Sequence, residues 1–188
     1  MNCNPFTLGH RHLVEFARRD VDFLYVFVVE EDKSAIPFKE RFAIACENCA
    51  AFDNVKVLPS GKFIISSVTF AEYFQKDELQ NSRKIYPAQD VRLFGREIAP
   101  ALGITKRFVG EEPFDAVTRQ YNEAMEEILP EYGVELVEIP RLKSKDGEVI
   151  SATKVRDFLR RDDLKSCRPY LTEETYRYLR RKGKRILR

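Results

Sequence analysis

Residues 1–12 read MNCNPFTLGHRH, and the spacing of Thr7, Gly9 and His10 within them decides the fold. A T-x-G-H element of this kind sits where a buried strand gives way to a helix. Gly9 lets the backbone come close to a ligand with no Cβ in the way. The helix that begins beside it offers free N–H groups and the positive end of its dipole, which together favour an anion. His10 precedes Leu13, Val14 and Ala17 by three, four and seven residues, so it points to the inner side, whereas His12 falls on the outer one. Thr7 lies three residues before His10, close enough for both to converge on one anion. Taken alone, the stretch equally describes a capped helix with a hydrogen-bonded histidine.

The rest of the chain bounds the choices. With 188 residues, 44% of them hydrophobic, residues 1–188 read as one globular domain with a real core. Lys and Arg number 32 against 30 Asp and Glu, a net charge of +2. That balance excludes a dedicated nucleic-acid binder, which carries a strong basic excess. The apolar run Phe23–Val29 falls far short of the roughly 20 residues needed to span a bilayer, so no membrane role is expected. No charged-then-apolar leader opens the chain. The four cysteines, Cys3, Cys46, Cys49 and Cys167, are not needed as bridges in a core of this size, which fits a reducing, cytoplasmic setting.

Helix-like and strand-like segments alternate along the chain, the mark of an α/β fold with a parallel sheet. A helix is expected from Gly9 to Arg19. The β-branched and aromatic run Phe23–Val29 follows, as a parallel strand buried on both faces. Pro37 opens a second helix, to about Phe52. Strands are expected at Val55–Leu58 and Phe63–Ser66, a helix near Val68–Gln75 and a polar loop over Lys76–Pro87. Further helices are expected at Gln89–Leu102, Val117–Leu129, Ala152–Arg161 and Glu173–Lys182, with strands at Thr105–Val109 and Val134–Ile139. Residues 149–188 form a C-terminal helical part.

A second candidate anion site lies in that part, at Ile150-Ser-Ala-Thr-Lys-Val-Arg156. Ser151 is a good N-cap, and Val155, Phe158 and Leu159 supply the buried face of the helix behind it. Thr153 and Arg156, three apart, share one face of its first turn. Hydroxyls, free N–H groups and an Arg at one helix start suit part of a polyphosphate. Cys46-x-x-Cys49 reads differently. Phe38, Phe42, Ala45, Cys46, Cys49 and Phe52 make one apolar stripe, so both thiols act as small core hydrophobes and no metal site is expected.

A T-x-G-H loop near the start and an I-S-x-T-x-x-R helix start near the end resemble the paired signatures of the nucleotidyltransferase superfamily. The resemblance narrows across successive blocks: MNCNPFTLGHR, PFKERF (37–42), FIISSVTF (63–70), IAPALGITKRFVGEEPF (98–114), VTRQYNEAM (117–125), ILPEYGVELVEIPR (128–141) and ISATKVR (150–156). In this order they are similar to the citrate lyase ligase family over nearly the whole chain.

That resemblance implies a Rossmann-like parallel sheet of the nucleotidyltransferase type. It implies an AMP-forming ligase that uses ATP and Mg²⁺ to adenylate acetate, releasing pyrophosphate. The acetyl group then passes to the thiol of the coenzyme-A-like prosthetic group on the acyl-carrier (gamma) subunit of citrate lyase. Thr7, Gly9 and His10 would grip phosphates, and Ser151, Thr153 and Arg156 would hold the β- and γ-phosphates with Mg²⁺ bridging them. Lys39 and Arg41 would neutralise charge from the opposite side, and Gly110 would meet the nucleoside. The basic tail RRKGKRILR (180–188) would steer an acidic carrier domain. Two departures stand out. Family members carry an acetyltransferase-like domain ahead of this one. Met1–Cys3 can supply only the last residues of the first sheet strand, so that strand is expected to be truncated, the chain being a fragment or starting at an internal Met. Two other readings stay open: an adenylyl- or cytidylyltransferase acting on a phosphorylated metabolite, and a non-catalytic nucleotide-binding or docking module.

Overall fold

The structure is a computed structural model that describes residues 1–30, 33–71, 87–144 and 147–187, with the side chains of residues 184 and 185 outside the description. The described chain divides into two compact units, residues 1–59 with 141–188, and residues 60–140.

The first unit opens with α1 (Leu8–Ala17), β1 (Leu24–Val28), α2 (Phe38–Cys49) and β2 (Val55–Pro59). It closes with α6 (Ala152–Arg160) and α7 (Glu173–Lys182). β1 and β2 pair in parallel, Leu24 opposite Val55 through Val28 opposite Pro59. Parallel neighbours need a crossover, and α2 with its flanking loops supplies it. Phe6, Val14, Val26, Val28, Ile44, Val155 and Leu179 meet in one core. The run around β1 is covered unevenly. Val26 and Val28 are buried, whereas Tyr25 and Phe27 stack on the other face with centroids 6.3 Å apart and stay half-buried. The strand is therefore not sealed on both faces as its composition implies.

The backbone of β1 alternates between its edges, and Leu24 donates its N–H toward the β2 side, to Asn54 O at 2.8 Å. Phe27 O and Val29 N consequently face the other edge, where Met1 N donates to the first at 2.5 Å and Met1 O accepts from the second at 2.9 Å. This is the evenly spaced pattern of a parallel neighbour. Met1 thus occupies a strand position beside β1.

α7 is clamped to α2 through a buried polar cluster. Thr172 Oγ1 donates to Asn48 Oδ1 at 2.6 Å, and Asn48 Nδ2 donates to Thr175 Oγ1 at 3.0 Å and to Ile44 O at 2.8 Å. On the surface, Lys182 and Arg181 pair with Glu40 and Glu47 of α2. Cys49 is buried, and burial pushes its thiol up to about 12. Cys46 is only half-buried, so one of the two thiols, not both, points into the core.

The second unit holds α3 (Ala88–Leu93), a π-helical turn over Phe94–Ile98, α4 (Ala99–Ala101), β3 (Lys106–Gly110), α5 (Ala116–Ile128) and β4 (Glu135–Ile139). β3 and β4 pair in parallel, Lys106 opposite Glu135 through Gly110 opposite Ile139. Gly95 is required in the π-helical turn because a Cβ there would lie 2.5 Å from Cδ2 of Tyr132.

Asp90, fully buried, anchors this unit. Its Oδ1 accepts from Ile65 N at 2.7 Å and Thr69 Oγ1 at 2.5 Å, and its Oδ2 from the Tyr121 hydroxyl at 2.6 Å. Those bonds replace the strand expected at Phe63–Ser66. Ser66 Oγ donates to Lys62 O and accepts from the N–H groups of Val68 and Thr69, and Ile65 turns to φ 50°. Serine and threonine hydroxyls offer the backbone local partners that compete with a sheet ladder. Half of the helix expected at Val68–Gln75, residues 72–75, and almost all of the loop over Lys76–Pro87 lie outside the described residues. No helix among the described residues is long and apolar enough to cross a membrane.

Candidate functional site

The first unit brings the two sequence motifs together. Thr7 caps the start of α1, has extended backbone and is 1% exposed. Its backbone N–H donates to His10 Nδ1 at 3.0 Å, and its hydroxyl meets the same nitrogen at 2.8 Å. A histidine thus takes the place that Glu or Gln fills in an ordinary capping box. The bond fixes the ring's chemistry. An Nδ1 that accepts from an amide carries no proton, so the neutral ring bears its proton on Nε2. Nε2 takes no partner among the described residues. Loss of hydration pushes the His10 pKa down to about 3, with nearby positive charge adding to the effect. The ring lies half-buried against Phe6, centroids 5.4 Å apart. At neutral pH it is an uncharged N–H donor.

Gly9 sits inside the first turn of α1 and not in a tight turn. A Cβ there would meet Ile150 O and Thr7 Oγ1, each at 3.5 Å, which is ordinary contact. Ile150 is the first residue of the second motif, so the N-termini of α1 and α6 stand side by side. Ser151 caps α6, its side chain accepting from Thr153 N at 3.2 Å. Arg156 Nη2 donates to Thr153 Oγ1 at 2.9 Å, and its Nη1 reaches across to Asn4 O at 2.8 Å. Thr7, Gly9, His10, Ser151, Thr153 and Arg156 therefore lie at the junction of two adjoining helix starts. Two helix N-termini, three hydroxyls, a neutral imidazole N–H and a guanidinium together favour a polyanion.

Lys39, Arg41 and Gly110, the other sequence candidates, have different surroundings. Lys39 is exposed on the first turn of α2 and makes no hydrogen bond to the loop. Arg41 does not face outward beside it. Fully buried, it donates from Nε to Ile36 O at 3.0 Å and from Nη1 to Asn2 O and Val29 O, both at 2.7 Å. Gly110 belongs to the second unit, where its carbonyl accepts from Asn122 Nδ2 at 3.1 Å.

Asn4 escaped the sequence reading, and so did the inward course of Arg41, which was expected to neutralise phosphate charge. Asn4 Oδ1 accepts from Ile36 N at 3.0 Å while its carbonyl takes Arg156. A signal for Arg41 was present, since it lies three residues after Phe38 and four before Ala45 on the apolar stripe of α2. The donors that meet at the two helix starts include no carboxylate, and no group of three His, Cys, Asp or Glu able to hold a metal occurs among the described residues.

A family model described as the citrate lyase ligase C-terminal domain matches residues 1–179. The citrate (pro-3S)-lyase ligase of Escherichia coli is 40% identical over 184 residues, covering 95% of this chain and 52% of that protein. The protein of the same description from Klebsiella pneumoniae is 41% identical over 164 residues, covering 85% and 47%. Its counterpart from Haemophilus influenzae is 37% identical over 189 residues, covering 98% and 56%. The chain spans about half the length of these curated relatives. Among solved structures, Thermotoga maritima TmcAL bound with alpha-thio ATP superposes with a TM-score of 0.55 at 18% identity, covering 96% of this chain and 54% of that one. That likeness establishes a shared α/β fold.

Proposed function

The chain belongs to the family of citrate lyase ligase C-terminal domains, and from that premise we propose that it is the ATP-handling part of an acetate-activating ligase. The observation that carries this reading is the Arg156–Asn4 hydrogen bond, which joins the start of α6 to the loop before α1. It makes one polyanion site from two motifs that are each ambiguous alone. A fold neighbour solved with alpha-thio ATP supports ATP as the polyanion.

In this reading Thr7 and the Nε2–H of His10 hold the phosphates nearest the reacting centre. Ser151, Thr153 and Arg156 hold the β- and γ-phosphates, and exposed Lys39 adds positive charge. A carboxylate oxygen of acetate attacks the α-phosphorus, and the bond to pyrophosphate breaks. Acetate is already a nucleophile at neutral pH, so the step needs positioned donors more than a base. A neutral, preoriented His10 N–H meets that need without a change of protonation. Mg²⁺ fits as an ion carried in on the phosphates, because Thr7, His10, Ser151, Thr153 and Arg156 offer it no carboxylate. When bound it neutralises phosphate charge. The acetyl group then goes to the prosthetic-group thiol of the citrate lyase acyl carrier, with AMP as leaving group.

Exchange of labelled pyrophosphate into ATP tests the reading. Exchange that requires acetate supports it. Exchange driven instead by a phosphorylated metabolite replaces it with a nucleotidyltransferase, and nucleotide binding with no exchange under any condition replaces it with a docking module.

A further inference from the structure

We propose that Arg41 is a positioning residue for the nucleotide site, acting through Asn2 and Asn4 to hold the loop that presents His10. The inference rests on the ATP-handling reading above. Arg41 gathers main-chain carbonyls from three separate segments: Asn2 in the loop before α1, Val29 just past β1, and Ile36 just before α2. A buried guanidinium spent on backbone carbonyls is costly to place, because its charge must leave water. What it secures is the relative position of those three segments.

The connection continues past Ile36. The residue whose carbonyl takes Arg41 Nε donates its own N–H to Asn4 Oδ1 at 3.0 Å. Asn4 O in turn accepts from Arg156, which donates to Thr153. Ser34 Oγ adds a bond to Asn2 Oδ1 at 3.1 Å. Residues 2–4 are thus fixed from the α2 side and from the α6 side, and Thr7 begins α1 three residues later. The Thr7 N–H that keeps Nδ1 of His10 unprotonated emerges from this braced segment. Loosening the brace frees Thr7 N–H from His10, and the ring then samples both tautomers. Lysine cannot replace arginine here, since its single ammonium cannot meet three carbonyls with the planar fork's geometry.

The test uses 15N NMR of His10 in the ligand-free chain, with ATP affinity measured in parallel. Unsubstituted protein gives one proton-bearing and one bare ring nitrogen. Arg41→Lys, and separately Asn4→Ala, move both His10 resonances toward an averaged pair and weaken ATP binding tenfold or more. In a His10→Ala background, Arg41→Lys changes ATP affinity less than twofold, because the side chain it positions is gone. A purely structural role predicts the same loss in both backgrounds. If Arg41→Lys does not fold, Asn4→Ala carries the test, since it leaves Arg41 in place and cuts only the link through Ile36. An unchanged His10 pattern in the folded variants overturns the proposal. Failure of the unsubstituted chain to bind ATP overturns the nucleotide reading instead, while the tautomer result still decides whether Arg41 positions His10.

Discussion

Arg156 Nη1 donates to the carbonyl of Asn4 at 2.8 Å, across 152 residues of chain. One guanidinium therefore ties the C-terminal helical part to the N-terminal loop, and through Nη2 it also fixes the Thr153 hydroxyl. In the proposed reading, structure and ligand binding meet in this side chain. Folding it into place orders both helix starts, and any polyphosphate bound there benefits from an order already established.

Arg156→Ala is expected to lower both quantities. Losing charge-assisted bonds to Asn4 O and Thr153 Oγ1 costs roughly 1–3 kcal/mol of stability. At about 2–4 °C per kcal/mol for a chain of this size, the melting temperature falls by several degrees. ATP affinity falls at least tenfold, measured by calorimetric titration. A variant that melts lower but binds ATP normally removes Arg156 from the phosphate site.

Gly9→Ala separates ligand from fold. A Cβ at Gly9 makes only ordinary contacts, at 3.5 Å to Ile150 O and Thr7 Oγ1, so the protein itself has room for it. Alanine inside a helix is also favoured over glycine by about 0.5–1 kcal/mol. The variant should melt at or above the parent temperature while losing ATP affinity, because the new methyl group lies between the two helix starts. Unimpaired ATP binding shows that the phosphates do not approach Gly9.

Asp90→Ala examines the second unit. Removing this carboxylate leaves Ile65 N, Thr69 Oγ1 and the Tyr121 hydroxyl without their acceptor. Each such loss in a buried setting costs about 1–3 kcal/mol. A destabilisation of roughly 3 kcal/mol or more is expected in urea unfolding. Tyr121→Phe, which removes one donor and leaves the carboxylate its other two bonds, should cost markedly less.

Much of this architecture was legible in the residues because periodicity and caps report local chemistry. Ser151 before Ala152, and Thr172 before Glu173, mark the helix starts where they occur. Apolar runs mark the strands that pair in parallel. Phe63–Ser66 misled because its apolar residues suggest a strand, while the hydroxyls of Ser66 and Thr69 and the distant carboxylate of Asp90 claim its backbone. Arg41 misled for the opposite reason. A charge at a helix start reads as a partner for phosphate until three carbonyls from separate segments are known to meet it. No local pattern encodes such long-range polar partners.

His10 gives a prediction with a definite sign. Its folded-state pKa of about 3 lies below the 6.5 of an unperturbed imidazole. Between those values the unfolded chain binds a proton that the folded chain does not, so acid favours unfolding. The stability held by a neutral His10 is complete above pH 6.5 and is lost as the pH falls toward 3, with a slope of at most about 1.4 kcal/mol per pH unit. Other groups also titrate in this range, so the informative quantity is the difference between the parent and His10→Gln. That difference should shift in favour of the variant as the pH drops from 7 to 5 in urea unfolding. ATP affinity gives a second reading. A ring neutral throughout pH 6–8 contributes no titration step there, and glutamine, which also offers an N–H donor, should bind ATP better than alanine at this position. A step near pH 6.5 in ATP binding that disappears in both variants would mean that His10 meets the phosphates as a cation, with its Nδ1 bond to Thr7 broken.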